Sequence, residues 1–154
     1  MSRLDSARRL LAVLDRRGEA LRRQVERGRR ALSEFDARIA ERRASIARLG
    51  ERLAAGVPPT TYAHCELMRV RGKQATLRFD ITCQQVEIDT LIEQRQTADQ
   101  ALRADLGAAR ALERRRGKHR DWLAAREKAR ERRRDAIDEA DVMEGGSHGS
   151  NHPH

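Results

Sequence analysis

Arg126, Arg130 and Arg134 recur at four-residue spacing, and Glu127, Glu131 and Asp135 recur beside them. On a helix each set is one stripe of like charge, and like charges four apart destabilise an isolated helix by a few tenths of a kcal/mol per pair. A segment shaped only to be helical would place opposite charges at that spacing. The functional reading is that these stripes meet a partner. Arg133 adds to the basic face, and Trp122 beside Leu123 is the one large apolar pair in residues 113–135, of the type that anchors interfaces. The bland alternatives are a solvated charge-rich helix and a tryptophan packed between copies of the chain.

Catalytic chemistry finds no such support. Gly117-Lys118 is not a phosphate loop, because position 112 is Leu rather than Gly and position 119 is His rather than Ser or Thr. No Ser, His and Asp set stands in a context that would build a pocket. His148, His152 and His154 form a loose cluster, but Gly149 and Pro153 give it no preset ligand geometry. The residues imply no enzyme, no metal and no cofactor.

The elements that must position the basic stripes are helical. Charged residues make up 37% of the 154 and aromatics 3%, too few large apolar side chains for a globular core and a mixture typical of long helices. Stepping by three and four from Leu4 to Leu53 meets an apolar residue at 12 of 15 positions, which is the heptad signature of a coiled coil. Ser2 with Asp5 forms a short capping box at its start. Gly50, Gly56 and Pro58-Pro59 end it, and Thr60 or Thr61 caps the next helix. From Leu67 to Leu112 a second seam is apolar at ten of 14 positions.

The reading is all-α: a long two-helix antiparallel coiled-coil hairpin with a longer C-terminal helix. Residues 2–54 form the first helix, 55–61 the turn, 62–141 the second helix and 142–154 a flexible tail. Facing residues whose numbers add to 116 centre the hairpin on Pro58 and pair Val25 with Leu91, Phe35 with Ile81, Gly28 with Ile88 and Arg42 with Gln74. Leu11 then meets Asp105 and Leu21 meets Arg95, two poor matches. In this register residues 113–141 overhang as a single helix of ~43 Å at 1.5 Å per residue.

Basic residues exceed acidic ones by 33 to 24, and the excess is uneven. Residues 113–134 carry 11 basic and four acidic side chains; residues 135–144 carry five acidic and none basic. Phosphate, anionic lipid and acidic protein all suit a basic surface. Dilution by acids and scarcity of aromatics for stacking disfavour nucleic acid. The longest apolar run, Leu10 to Leu14, is too short to insert in a membrane, and no secretory signal opens the chain, so a cytoplasmic location is expected. Cys65 and Cys83 would stand ~27 Å apart on one helix, beyond disulfide reach.

A short chain with two unequal coiled-coil arms, closing on Arg132-Arg133-Arg134-Asp135-Ala136-Ile137-Asp138-Glu139-Ala140, resembles the FliJ and YscO group of type III secretion proteins. Their hairpin is similar to the shaft subunit of rotary ATP synthases. The resemblance implies a non-catalytic central stalk or adaptor. Its overhang would enter a hexameric secretion ATPase, stimulate hydrolysis and couple it to the export gate, a membrane protein, at the cytoplasmic face of the apparatus. Arg126, Arg130, Arg133 and Arg134 would meet the lining of the ring, with Trp122 as an anchor. It also implies contact with secretion chaperones, for which the sequence shows no site. A basic nucleic-acid-binding coiled coil and a dimerising spacer are the alternatives from other classes.

Overall fold

The computed structural model describes residues 2–56 and 63–148. It consists of two helices, α1 (Arg3–Ala55) and α2 (His64–His148), with no strand among the described residues. The fold class is the expected all-α helical hairpin. The expected turn residues Pro58-Pro59, Thr60 and Thr61, and the tail from Gly149 with His152 and His154, lie outside the described residues.

The start of α1 is the expected capping box. The Asp5 backbone N–H donates to Ser2 Oγ at 3.2 Å, the Ser2 hydroxyl donates to Asp5 Oδ2 at 2.7 Å, and the Ser2 backbone N–H donates to the same oxygen at 3.3 Å. Gly50 does not interrupt α1. At the other end of the chain α2 runs through Gly145 and Gly146 to His148, past the position where the tail was expected to begin. Neither glycine adopts the positive φ that turns a chain out of a helix.

The chain forms two compact units, each an antiparallel pairing of α1 with α2. One comprises Met1–Arg22 with Gly107–His154, the other Arg23–Leu106. In the second unit the core is Val25, Ile39, Ile88 and Leu102. In the first it is Leu14, the most deeply buried side chain at 1% exposure, and Leu123. The buried and half-buried positions follow the heptad seams read from the sequence, from Leu4 to Leu53 and from Leu67 to Leu112. Arg42 is the exception and stands exposed.

The register differs from expectation by two heptads. In the second unit, a Cβ on Gly28 would lie 3.1 Å from Leu102 Cδ1, so Gly28 faces Leu102 rather than Ile88. Arg95 pairs with Asp36 rather than opposing Leu21. The Arg42 guanidinium reaches Gln84 Oε1 at 3.1 Å and Glu87 at 3.0 Å rather than facing Gln74. The Gln24 amide donates to Asp105 Oδ1 at 3.1 Å, and the Gln74 amide donates to the Gly56 carbonyl at 3.2 Å. The first unit keeps the same offset by itself. Gly18 faces Leu112, Arg116 pairs with Asp15, and Arg8 meets Glu127 at 3.0 Å.

The physical reason lies in the polar interruptions of the second seam. A shift by whole heptads leaves apolar residues facing apolar residues, so hydrophobic burial does not choose among such registers. The observed one gives Gln84, Arg95, Asp105 and Arg116 each a polar partner on α1, and Gln74 one at Gly56, just past its end. Residues 113–127, expected to overhang, consequently pack on the start of α1, and only from residue 128 onward is every described side chain exposed.

Two measurements check this register. With Cys65 and Cys83 (both free and exposed) replaced by Ser, the pair Gly28→Cys and Leu102→Cys crosslinks within one chain. The pair Val25→Cys and Leu91→Cys does not; the opposite result restores the Pro58-centred register. In urea unfolding, Gly18→Ala gains up to about 1 kcal/mol from helix propensity, because its methyl group meets Leu112 at an ordinary 3.8 Å. Gly28→Ala gains less or loses stability, since Leu102 must give way. Equal gains at the two positions contradict the close approach at Gly28.

Candidate partner-binding site

The start of α1 and the stretch of α2 beyond Leu123 build one basic surface in the first unit. Trp122, Arg126, Arg130 and Arg133 line a shallow groove of about 200 Å³ with Arg3, Leu4 and Ala129. Arg134 lies in a neighbouring depression of about 330 Å³ with Leu4, Arg8, Glu127, Arg130 and Glu131. Four of the five residues singled out from the sequence thus share one groove. Arg134 stands apart from it, and Arg130 lines both.

Trp122 is 42% exposed and carries the Arg126 guanidinium 5.3 Å from its ring centroid. That stacking fixes the direction of Arg126 and leaves the other donor edges of its fork free for an anion or a carbonyl. Arg8 is held between Asp5 at 3.6 Å and Glu127 at 3.0 Å, which ties the first turn of α1 to α2. Among the described residues no ion pair takes up Arg3, Arg126, Arg130, Arg133 or Arg134. The surface therefore presents five clustered cations that no described ion pair neutralises, although Glu127 and Glu131 line the depression beside Arg130 and Arg134.

Arg3, Leu4 and Arg8 are contributions the sequence pattern missed. In the Pro58-centred register α1 begins opposite Leu112, and nothing from it reaches Arg126. The signal that finds them is Asp15 and Asp36 on the flank of the first seam, which match Arg116 and Arg95 only after the two-heptad shift.

No group of three or more His, Cys, Asp or Glu stands close enough to hold a metal ion among the described residues. No helix among them is long and apolar enough to cross a membrane.

The pattern of the family described as Salmonella surface presentation of antigen gene type M protein matches residues 5–145, nearly the whole of both helices. The chain belongs to this type III secretion-related family. The family is one of secretion-apparatus components. No curated protein and no solved structure matches the chain.

The groove depends on the first turn of α1 staying folded. Hydrogen bonds from Ser2, its side chain first and its backbone second, hold the Asp5 carboxyl below its ordinary value of 3.8, helped by Arg8 and Arg9. A depressed carboxylate adds stability above its ordinary value, and that stability is lost as pH falls through the lowered one. Protection of the Asp5 and Ser6 amides from exchange, relative to the intrinsic rate at each pH, falls below pH 3.8. In Ser2→Ala, which forfeits a cap worth about 1 kcal/mol, it is already low at neutral pH. Protection indifferent to both changes shows that the box does not hold the end.

Proposed function

We propose that this chain is the non-catalytic central stalk or adaptor of a type III export ATPase. Family membership supplies the secretion context. The observation that carries the finer reading is the basic end of the first unit, where Arg3, Arg126, Arg130, Arg133 and Trp122 share one groove and none of these arginines is in an ion pair among the described residues. A hexameric ring has a central opening, and a shaft lacking six-fold symmetry makes its sites inequivalent. The start of α1 and the stretch of α2 from Trp122 enter that opening. Arg126, Arg130, Arg133 and Arg134 donate to carbonyls or carboxylates of the lining, and Trp122 anchors the contact. The chain stimulates hydrolysis without performing it and couples turnover to the export gate, in the cytoplasm at the membrane-bound apparatus. Secretion chaperones are further partners of this role.

The test is a nuclease-treated pull-down from the native cell, followed by hydrolysis rates of the recovered ATPase with added chain. A suitable variant is Arg126→Glu, Arg130→Glu, Arg133→Glu, checked for unchanged helix content. Truncation at Leu112 is unsuitable, because residues 113–127 pack on α1. The intact chain is expected to recover the ATPase and raise its rate several-fold; the variant loses most of both effects. Binding that disappears with nuclease, and no ATPase recovered, sinks this reading in favour of nucleic acid. Stimulation equal in the variant removes the arginines from the contact.

A further inference from the structure

The first unit has two broad faces, and its charges are sorted between them. At 100° per residue, Arg3, Leu10, Val13 and Arg17 lie about 50–130° to one side of the line along which α1 meets α2. On α2, Arg115, Lys118, Trp122, Arg126 and Ala129 lie about 50–130° to the same-handed side of its own contact line. Two antiparallel helices bring their same-handed sides to one face of the pair. The groove that gathers Arg3, Trp122, Arg126 and Ala129 lies on this face. The opposite side carries Asp15 and Glu19 of α1 and Glu113, Glu127 and Glu131 of α2. The described ion pairs between the two helices run there: Arg8 with Glu127, and Arg116 with Asp15.

What remains on the first face has one chemistry. In residues 3–17 and 115–129 no carboxylate lies within that arc. Among the described residues no ion pair takes up Arg3, Arg17, Arg115, Lys118 or Arg126. Between these cations stand three large apolar side chains left partly in water: Leu10 at 39% exposure, Val13 at 41% and Trp122 at 42%. The face runs ~21 Å along each helix at 1.5 Å per residue.

We propose that this face lies on an anionic lipid surface. Leu10, Val13 and Trp122 dip among the headgroups, and Arg3, Arg17, Arg115 and Lys118 meet the phosphates. Helices that lie in the interface bind by buried apolar area together with attraction to anionic lipid, and this face offers both. Long basic side chains suit the arrangement, because their stems bury beside apolar groups while their heads stay with phosphate. The charges also separate lipid from other anions. A specific acidic protein would be met by donors and acceptors that fix one register, and this face presents cations alone, which a fluid surface accepts in any register. Nucleic acid makes no use of Leu10 and Val13, and one tryptophan is scant stacking for it. The chain lies on the membrane and does not cross it, since no helix among the described residues is long and apolar enough. The proposal does not rest on the ATPase reading; either stands if the other fails. Trp122 and Arg126 belong to both surfaces, so lipid and ring engage the chain in turn.

Trp122 is the only tryptophan of the chain, so its fluorescence reports on this face. The full chain is titrated with vesicles of phosphatidylcholine alone and of phosphatidylcholine mixed with phosphatidylserine. With the anionic vesicles the emission shifts to the blue and is quenched by bromine-labelled acyl chains; with the neutral ones it does neither. Partition falls about tenfold between roughly 0.05 and 0.5 M salt, as screening shortens to a few Å. Two charge-reversed chains of equal net charge separate the face from the charge. One carries Arg17→Glu, Arg115→Glu and Lys118→Glu; the other carries Arg22→Glu, Arg110→Glu and Arg120→Glu on the opposite side. The first loses binding about 100-fold, at about fivefold per cation, and the second retains most of it. Helix content checks that both remain folded. Equal losses in the two chains overturn the proposal, as does binding without quenching of Trp122. So does tighter binding to polyglutamate or to duplex DNA than to the anionic vesicles, which assigns the face to an acidic protein or to nucleic acid.

Discussion

The structure depends on polar side chains at the seam finding polar partners across it. Two apolar heptad seams slide past one another in seven-residue steps with apolar residues still facing apolar ones, so burial along the shared length discriminates weakly among registers. Removing that degeneracy falls to Gln74, Gln84, Arg95, Asp105 and Arg116 on α2, each met by a donor, acceptor or opposite charge from α1 or from Gly56 just past its end. An exposed pair of this kind contributes only about 0–1 kcal/mol. Leaving a polar group half-buried against an apolar one costs more. Arg116 shows the principle most clearly. Its Nε and Asp15 Oδ1 are both shielded from solvent and face each other beside Leu14, the best-buried residue of the chain.

That register sets how much of α2 is free. The shift brings α1 alongside residues 113–127, buries Leu123 and carries Arg3, Leu4 and Arg8 to the basic stretch of α2. A site that would otherwise be a single bare helix becomes a groove with two walls. Gly28 contributes to the same outcome, since its missing side chain admits Leu102 at a distance a methyl group would contest.

The charge distribution along α2 divides its labour. Within the paired stretches, basic and acidic side chains are spent on register. Beyond Glu127 the chain presents a block of cations followed by a block of anions. Charge so segregated does little for an isolated helix, because like charges recur at four-residue spacing.

Much of this was legible in the residues. The heptad spacing determined the helices, their seams and their antiparallel pairing, because burial periodicity is local information. The Ser2 and Asp5 cap was equally legible, being an interaction across three residues. The basic stretch and Trp122 could be singled out for the same reason. Register and the reach of α1 along α2 could not be read from seam positions alone, because the deciding partners, Asp15, Gln24 and Asp36, sit on the flanks of the first seam and meet the second only once the helices are packed. The glycines at the end of α2 suggested a stop, yet the helix passes through them. Sequence determined which residues line each helix; only tertiary structure decided which residue lies opposite which, because apolar contacts that repeat every seven residues carry no absolute position.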